Sequence, residues 1–212
     1  MAGVAARRTG ILGGTFDPPH LAHLALAEAA RAALDLDRVI FVPAGDPWRK
    51  AAQEVSTAGA RVTLVQMAIE PYEWAGLSTV EVERIGPSYT ADTIEELVAA
   101  GEPDEAWWFI LGADALADMA HWHEPRRIVA RARLAVARRP GRPGREDEPL
   151  VTEALRAAVP GIDDRIDLVP MELTDLSATA IRAKVAAGES TEGLLDPEVR
   201  ALIDGLGLYR AG

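Results

Sequence analysis

Short apolar runs that end in Gly- or Pro-marked turns alternate with segments of helical periodicity along most of this chain, and that alternation restricts its fold more than any other feature. Arg8 to Leu12 is an apolar run leading into Gly13-Gly14, Leu21 to Leu34 repeats apolar positions at helical spacing, and Val39-Ile40-Phe41-Val42 stops at Pro43. Strand, tight loop, helix and buried strand make a βαβ unit. The same reading places helices at Arg61 to Ile69 and Thr90 to Ala100, the second closed by Gly101, and strands at Ser78 to Val82, Trp107 to Leu111 and Leu134 to Ala137. Two late helices follow, Ser177 to Ala187, stopped by Gly188, and Pro197 to Leu206. Arg142 to Pro149, charged and aperiodic, is the best candidate for a mobile surface loop. The pattern predicts an α/β fold, a parallel sheet with helices on both faces, whose ligands bind outside the carboxyl ends of the strands. One domain over 1–212 is expected, with 177–212 as its helical C-terminal part.

Composition narrows the chemistry. The chain has 212 residues, 49% apolar and 26% charged, enough for one compact domain with a full-sized core. No stretch approaches the roughly 18 uninterrupted apolar residues of a membrane span, and the opening residues have no apolar signal core, so a cytoplasmic protein without membrane contact is expected. With no cysteine, disulfides, thiolate metal sites and cysteine nucleophiles are excluded. The net charge of −11 and the scattered arginines argue against long nucleic acid as a partner. Small phosphorylated ligands would need a few local cations and backbone N–H groups. The oligomeric state is open, a homo-oligomer included.

Such groups occur in the first loop, Gly13-Gly14-Thr15-Phe16-Asp17-Pro18-Pro19-His20-Leu21-Ala22-His23-Leu24. Two glycines allow close approach of a phosphate, and a helix beginning near Pro19 or His20 directs N–H groups and its positive end at an anion. His20 and His23, three apart, share a face there and can donate to phosphoryl oxygens. Taken alone, the pair reads equally well as two partly exposed helix histidines. Near the other end, Ser177-Ala178-Thr179-Ala180-Ile181-Arg182 offers hydroxyls, amides and a guanidinium, with Arg182 expected in the first turn of its helix. Ser177 or Thr179 alone reads more simply as an N-cap.

The first loop resembles the signature of the Rossmann-like nucleotidyltransferases, usually His-x-Gly-His, with Ala22 in the glycine position. The second segment resembles that family's late Ser/Thr-rich helix start. Gly86-Pro87-Ser88-Tyr89-Thr90-Ala91-Asp92-Thr93, Gly112-Ala113-Asp114 with Trp122, Gly45 to Lys50, Arg138-Arg139-Pro140-Gly141 and the tail Gly207-Leu208-Tyr209-Arg210 are similar to stretches of the nicotinate-nucleotide adenylyltransferases. The resemblance spans about the whole chain. It implies a Rossmann-like fold of nucleotidyltransferase type, transferring the adenylyl group of ATP to nicotinate mononucleotide in NAD biosynthesis. The ATP site would comprise Gly13, Gly14, Thr15, Phe16, His20, His23, Gly112, Asp114, Ser177, Thr179 and Arg182, with His20, His23 and Arg182 catalytic. Trp122, Tyr89 and Thr90 would receive the nicotinate ring and its carboxylate, and Lys50 and Arg138 the mononucleotide phosphate.

Each of these residues also has a plain structural reading: Trp122 as a core aromatic, Thr90 as an N-cap, Asp92 as a helix-dipole partner, Lys50 and Arg138 as solvated charges. Mg²⁺ is expected with ATP, without a dedicated protein site. His121 and His123, near Asp118 and Glu124, are two apart and have no evident third ligand, so no metal is expected there. P-loop, dinucleotide-binding and zincin motifs are absent. The competing readings are a sister transferase using phosphopantetheine or nicotinamide mononucleotide, a metal hydrolase, and a catalytically silent nucleotide-binding module.

Overall fold

The computed structural model describes residues 6–45, 55–138, 149–171 and 176–210. Its sheet has six strands in the order β3-β2-β1-β4-β5-β6: β1 (Arg8–Gly14), β2 (Arg38–Pro43), β3 (Ala75–Leu77), β4 (Ala106–Gly112), β5 (Arg133–Arg138) and β6 (Ile166–Pro170). Registers such as Ile11↔Phe109, Ile110↔Ala135 and Val136↔Leu168 run parallel. Parallel neighbours need crossovers, and helices supply them: α1 (Leu21–Ala33), α2 (Ala58–Ile69), α3 (Val80–Glu83), α4 (Thr90–Ala100), α5 (Ala113–Asp118), α6 (Pro125–Arg131), α7 (Glu153–Ala158), α8 (Ala178–Ala186) and α9 (Pro197–Leu206). This is the parallel α/β architecture expected from the alternation, and of the Rossmann-like type that the resemblance implies. Among the described residues no helix is long and apolar enough to cross a membrane.

Contacts group the chain into two compact units. The first takes in Met1–Gly13, Leu26–Ile40 and Tyr89–Leu173. Its core is built on strands buried along most of their length, with Ile11, Leu12, Trp107 to Leu111 and Leu134 to Ala137 all buried. That burial on both faces is why these segments read as continuous apolar runs rather than alternating ones. Across the strands, Asp167 accepts from Trp108 Nε1 at 2.8 Å and from the Arg133 fork at 2.6 and 2.9 Å. The Arg133 pairing holds the Asp167 carboxyl below its ordinary range.

The second unit takes in Gly14–Ala25, Phe41–Ser88 and Thr174–Gly212. Its helices share a cluster of Leu64 and Ala68 from α2, Ile181 from α8, Leu195, and Val199 and Ile203 from α9. Local chemistry sets the helix ends. Thr57, Ser177 and Asp196 are N-caps accepting from Ala60, Ala180 and Glu198 N–H groups, each satisfying a donor the helix cannot. Gly207, at φ 64°, closes α9 in the left-handed conformation that glycine adopts without a Cβ penalty.

Several expectations are corrected. Ser78 to Val82 is not a strand: β3 ends at Leu77 and Val80–Glu83 is a helical turn. The alternating Thr-Val-Glu-Val-Glu pattern suits a strand, but Thr79 Oγ1 donates to Glu83 Oε1 at 2.5 Å and the Glu83 N–H returns to Thr79 O, which closes a turn. α1 starts at Leu21 rather than at Pro19 or His20, and α2 starts at Ala58. Arg182 is the fifth residue of α8 and so lies in its second turn, because Ser177 is the cap. The short elements α5, α6, α7 and β6 carry too few residues for periodicity to mark them. The loop expected over 142–149 lies outside the described residues apart from Pro149.

Candidate active site

Gly13, which the resemblance assigns to the ATP site, belongs to the first unit, while the first loop from Gly14 on and the late segment Ser177 to Arg182 belong to the second. Gly14 has the ring of Phe16 so near that a Cβ there would stand 3.0 Å from it, and Phe16 itself takes a positive φ of 50°. The buried Phe16 ring packs edge-on against His23 with centroids 4.9 Å apart and tilts against Phe41 at 6.0 Å. His20 and His23 stack at 3.7 Å. The His20 backbone N–H donates to His23 Nδ1 at 3.1 Å. An Nδ1 that accepts carries no proton, so neutral His23 holds its proton on Nε2. Burial lowers the His20 pKa to about 4, so this ring is neutral at physiological pH, and its Nδ1 is buried without a partner among the described residues.

Asp17 is the hub of the loop. It is buried, with Oδ1 accepting from Tyr209 Oη at 2.7 Å and Oδ2 from the Ser56 N–H at 3.3 Å. Its carbonyl accepts from Arg182 Nη1 at 2.8 Å, and Oδ2 lies 3.9 Å from the same atom. Arg182 Nη2 also donates to Thr179 Oγ1 at 3.5 Å. Ser177 Oγ is engaged as the cap of α8, accepting from the Ala180 N–H at 3.2 Å. The structure therefore brings Thr15, Phe16, His20, His23, Thr179 and Arg182 into one unit, with Arg182 aimed along the first loop. Ala22 is half-buried in the first turn of α1.

Arg61 was visible in the sequence only as the start of a helix. It is 1% exposed, and donates from Nε to Ser56 O, from Nη1 to Thr15 O and from Nη2 to Gly45 O, at 3.1, 2.9 and 3.0 Å. One side chain thus ties the loops after β1 and β2 to the start of α2. Gly45 must be glycine, since a Cβ would overlap Glu81 O at 1.9 Å. Arg61→Met keeps the apolar stem and leaves three half-buried carbonyls without their donor, a loss of about 3–5 kcal/mol. Urea denaturation is expected to show a lower midpoint with the slope unchanged; an unshifted midpoint would reject Arg61 as a structural tie.

The residues expected around the nicotinate ring lie in the first unit. Trp122 packs edge-on against Phe109 with centroids 6.1 Å apart, and its Nε1–H is buried without a partner among the described residues. Tyr89 stacks on His123 at 4.1 Å. Tyr89 is the N-cap residue of α4, makes no side-chain cap bond, and leaves Thr90 as the first helical residue rather than the cap. Asp92, in that first turn, pairs with Arg127 at 2.9 Å; Arg127 also binds Glu95 and Glu124, which holds its pKa above the ordinary value, Glu95 first. Gly112 caps α5 and Asp114 is in its first turn. His121 faces Asp118 at 3.6 Å and His123 faces Glu124 at 3.2 Å, so the two rings serve different partners. Lys50 and the Arg138 side chain lie outside the described residues, although Arg138 closes β5.

An open parallel α/β sheet whose first loop carries paired histidines, and whose late helix returns an arginine to that loop, defines a nucleotidyltransferase of Rossmann-like type. A cytidylyltransferase-like family model matches residues 11–184. Among curated relatives, the Bordetella petrii protein named "Probable nicotinate-nucleotide adenylyltransferase" is 41% identical over 205 residues, 96% of this chain and all of its own. A Roseiflexus protein of the same name is 39% identical over 95% of this chain and 97% of its own. The solved Plasmodium falciparum nicotinic acid mononucleotide adenylyltransferase complexed with NaAD superposes with a TM-score of 0.74, covering 96% of this chain and 97% of that one at 16% identity. A structure from Vibrio parahaemolyticus gives 0.66 over 97% of both at 18% identity. The chain belongs to the cytidylyltransferase-like family, in its nicotinate-nucleotide adenylyltransferase branch.

Proposed function

We infer that this enzyme transfers the adenylyl group of ATP to nicotinate mononucleotide, giving nicotinate adenine dinucleotide and pyrophosphate. The observation that carries the chemistry is the stacked His20/His23 pair, with the His23 tautomer set by a backbone N–H, in the unit where Arg182 meets the same loop. A phosphate oxygen of the mononucleotide attacks the α-phosphorus, and the bond from that phosphorus to the bridging oxygen of the β-phosphate breaks, its electrons leaving with pyrophosphate. The attacking phosphate is already largely deprotonated at neutral pH, so positioning and charge neutralisation supply the rate. In this reading His20 and His23 donate to the oxygens of the transferring group. Arg182, with Thr179 and the first-turn amides of α8, holds the β- and γ-phosphates.

Asp114 takes the ATP ribose, Trp122, Tyr89 and Thr90 take the nicotinate ring and its carboxylate, and Lys50 and Arg138 take the mononucleotide phosphate. Mg²⁺ is proposed to arrive on the triphosphate: the one carboxylate of segment 13–24, Asp17, has both oxygens engaged by Tyr209 and the Ser56 N–H, which supports phosphate oxygens and water as its ligands. The ion would neutralise charge on the leaving pyrophosphate. The test is incubation with ATP, Mg²⁺ and, separately, nicotinate mononucleotide, nicotinamide mononucleotide and phosphopantetheine, with products identified by mass. The nicotinate dinucleotide and one pyrophosphate per turnover are expected; a preferred product from another acceptor would reject the acceptor, and no adenylylated product would reject the transferase.

A further inference from the structure

We propose that Tyr209, near the end of the chain, is a positioning residue for Arg182 that acts through Asp17; this rests on the reading above of Arg182 as the group that holds the leaving phosphates. The tail is built to deliver that hydroxyl. Gly207 reverses the chain after α9, with its N–H on Asp204 O and the Leu208 N–H on Ile203 O. Leu208 and Tyr209 then pack against the cluster of Leu64, Ala68, Ile181, Leu195, Val199 and Ile203. Arg210 donates to Asp204 O at 3.1 Å beyond them. Tyr209 adopts a positive φ of 63°, a conformation a non-glycine side chain holds only where its surroundings impose it. Its Oη reaches Asp17 Oδ1 at 2.7 Å, and burial together with that acceptor keeps the phenol protonated.

The hydroxyl decides what the carboxylate does. Asp17 is 2% exposed and stands beside Arg182, with Arg61 attracted to it as well. With Oδ1 occupied by Tyr209 and Oδ2 by the Ser56 N–H, Arg182 Nη1 binds the Asp17 carbonyl at 2.8 Å and stands off Oδ2 at 3.9 Å. The guanidinium is thus oriented by a neutral acceptor rather than neutralised by a close bidentate carboxylate, which leaves its charge for phosphate. Without the hydroxyl, a buried carboxylate is short of a donor, and Arg182, whose Nη1 already stands 3.9 Å from Oδ2, is the charged donor drawn to it in this proposal.

Tyr209→Phe removes one oxygen and keeps the packing. It is expected to lower kcat/KM for ATP about tenfold, with the KM for nicotinate mononucleotide changed less than about twofold. In an Arg182→Ala background the same substitution is expected to change kcat/KM for ATP less than about twofold, because the group it positions is gone. A tenfold effect that persists in that background, unchanged kcat/KM for ATP in Tyr209→Phe, or a joint loss on both substrates with a lowered thermal midpoint would overturn the proposal. A wild-type protein that forms no dinucleotide would instead sink the adenylyltransferase reading, and the same cycle read as ATP affinity by calorimetry would still test the link between Tyr209 and Arg182.

Discussion

His23→Ala is expected to lower kcat about a hundred- to a thousandfold while leaving the KM for nicotinate mononucleotide nearly unchanged, and His20→Ala to do the same, since losing one donor to a developing oxyanion costs about 2.7–4 kcal/mol of the barrier. The geometry says why the two must be tested separately. His23 is held by the His20 N–H on its Nδ1 and by the Phe16 edge, so His20→Ala keeps that backbone bond and removes only the second ring. Substituting His23 leaves the His20 N–H without its acceptor. Steady-state kinetics on both substrates decides the matter; a variant with near-normal kcat removes that histidine from the reaction.

His20→Ala also has a stability signature. The His20 pKa falls from the ordinary 6.5 to about 4 on folding because the ring is buried, so below pH 6.5 the unfolded chain takes up a proton that the folded one resists. The contribution of the neutral ring is therefore complete above pH 6.5 and declines as the pH falls toward 4. Urea midpoints measured at neutral pH and near pH 4.5 should converge for His20→Ala relative to wild type. An identical acid dependence in the two proteins would mean that His20 titrates normally.

The second large effect concerns the acceptor: kcat/KM for nicotinate mononucleotide is expected to exceed that for nicotinamide mononucleotide by an order of ten- to several-thousandfold, because hydrogen bonds to a charged partner are worth about 1.5–3 kcal/mol each and one or two are lost with the amide. The two ligands differ only in a carboxylate, which accepts and never donates, against an amide, whose NH₂ donates. The first unit offers donors. The Trp122 Nε1–H is buried with no partner among the described residues, and the first turn of α4 opens at Thr90 with no side-chain cap on its amides. An amide turns its own N–H₂ toward such donors. Stacking cannot discriminate, since both rings stack equally. The measurement is kcat/KM for both substrates at one pH and Mg²⁺ concentration; comparable values, or a preference for the amide, would reject this account of the pocket and leave adenylyl transfer standing.

Much of this architecture was legible before any coordinates. β1, β4 and β5 appear as apolar runs because both faces of a parallel strand are buried, and α9 appears from Pro197 to Leu206 as its cap and closing glycine require. The i,i+3 spacing of His20 and His23 placed them together, and they do stack. The misreadings also have a physical pattern. Ser78 to Val82 alternates like a strand, yet Thr79 and Glu83 close it into a turn; Thr90 looks like a cap, yet the helix starts one residue earlier than that role requires. Arg61 reads only as the start of a helix, and the structure buries it.

What the sequence determined by itself was therefore whatever acts within one or two turns of chain: strand runs, loop glycines, the histidine pair, and the cap at Ser177. These depend on backbone dihedrals and on neighbours a few residues away, which leave a periodic or positional trace. The tertiary structure alone decided the ties that hold the loop in shape. Arg182 meets Asp17 across 165 residues and Tyr209 meets it across 192, and Arg61 gathers the carbonyls of Thr15, Gly45 and Ser56. Such partners are chosen by the need to satisfy buried polar groups wherever the fold happens to bring them, and nothing in the local order of residues records which distant group that will be.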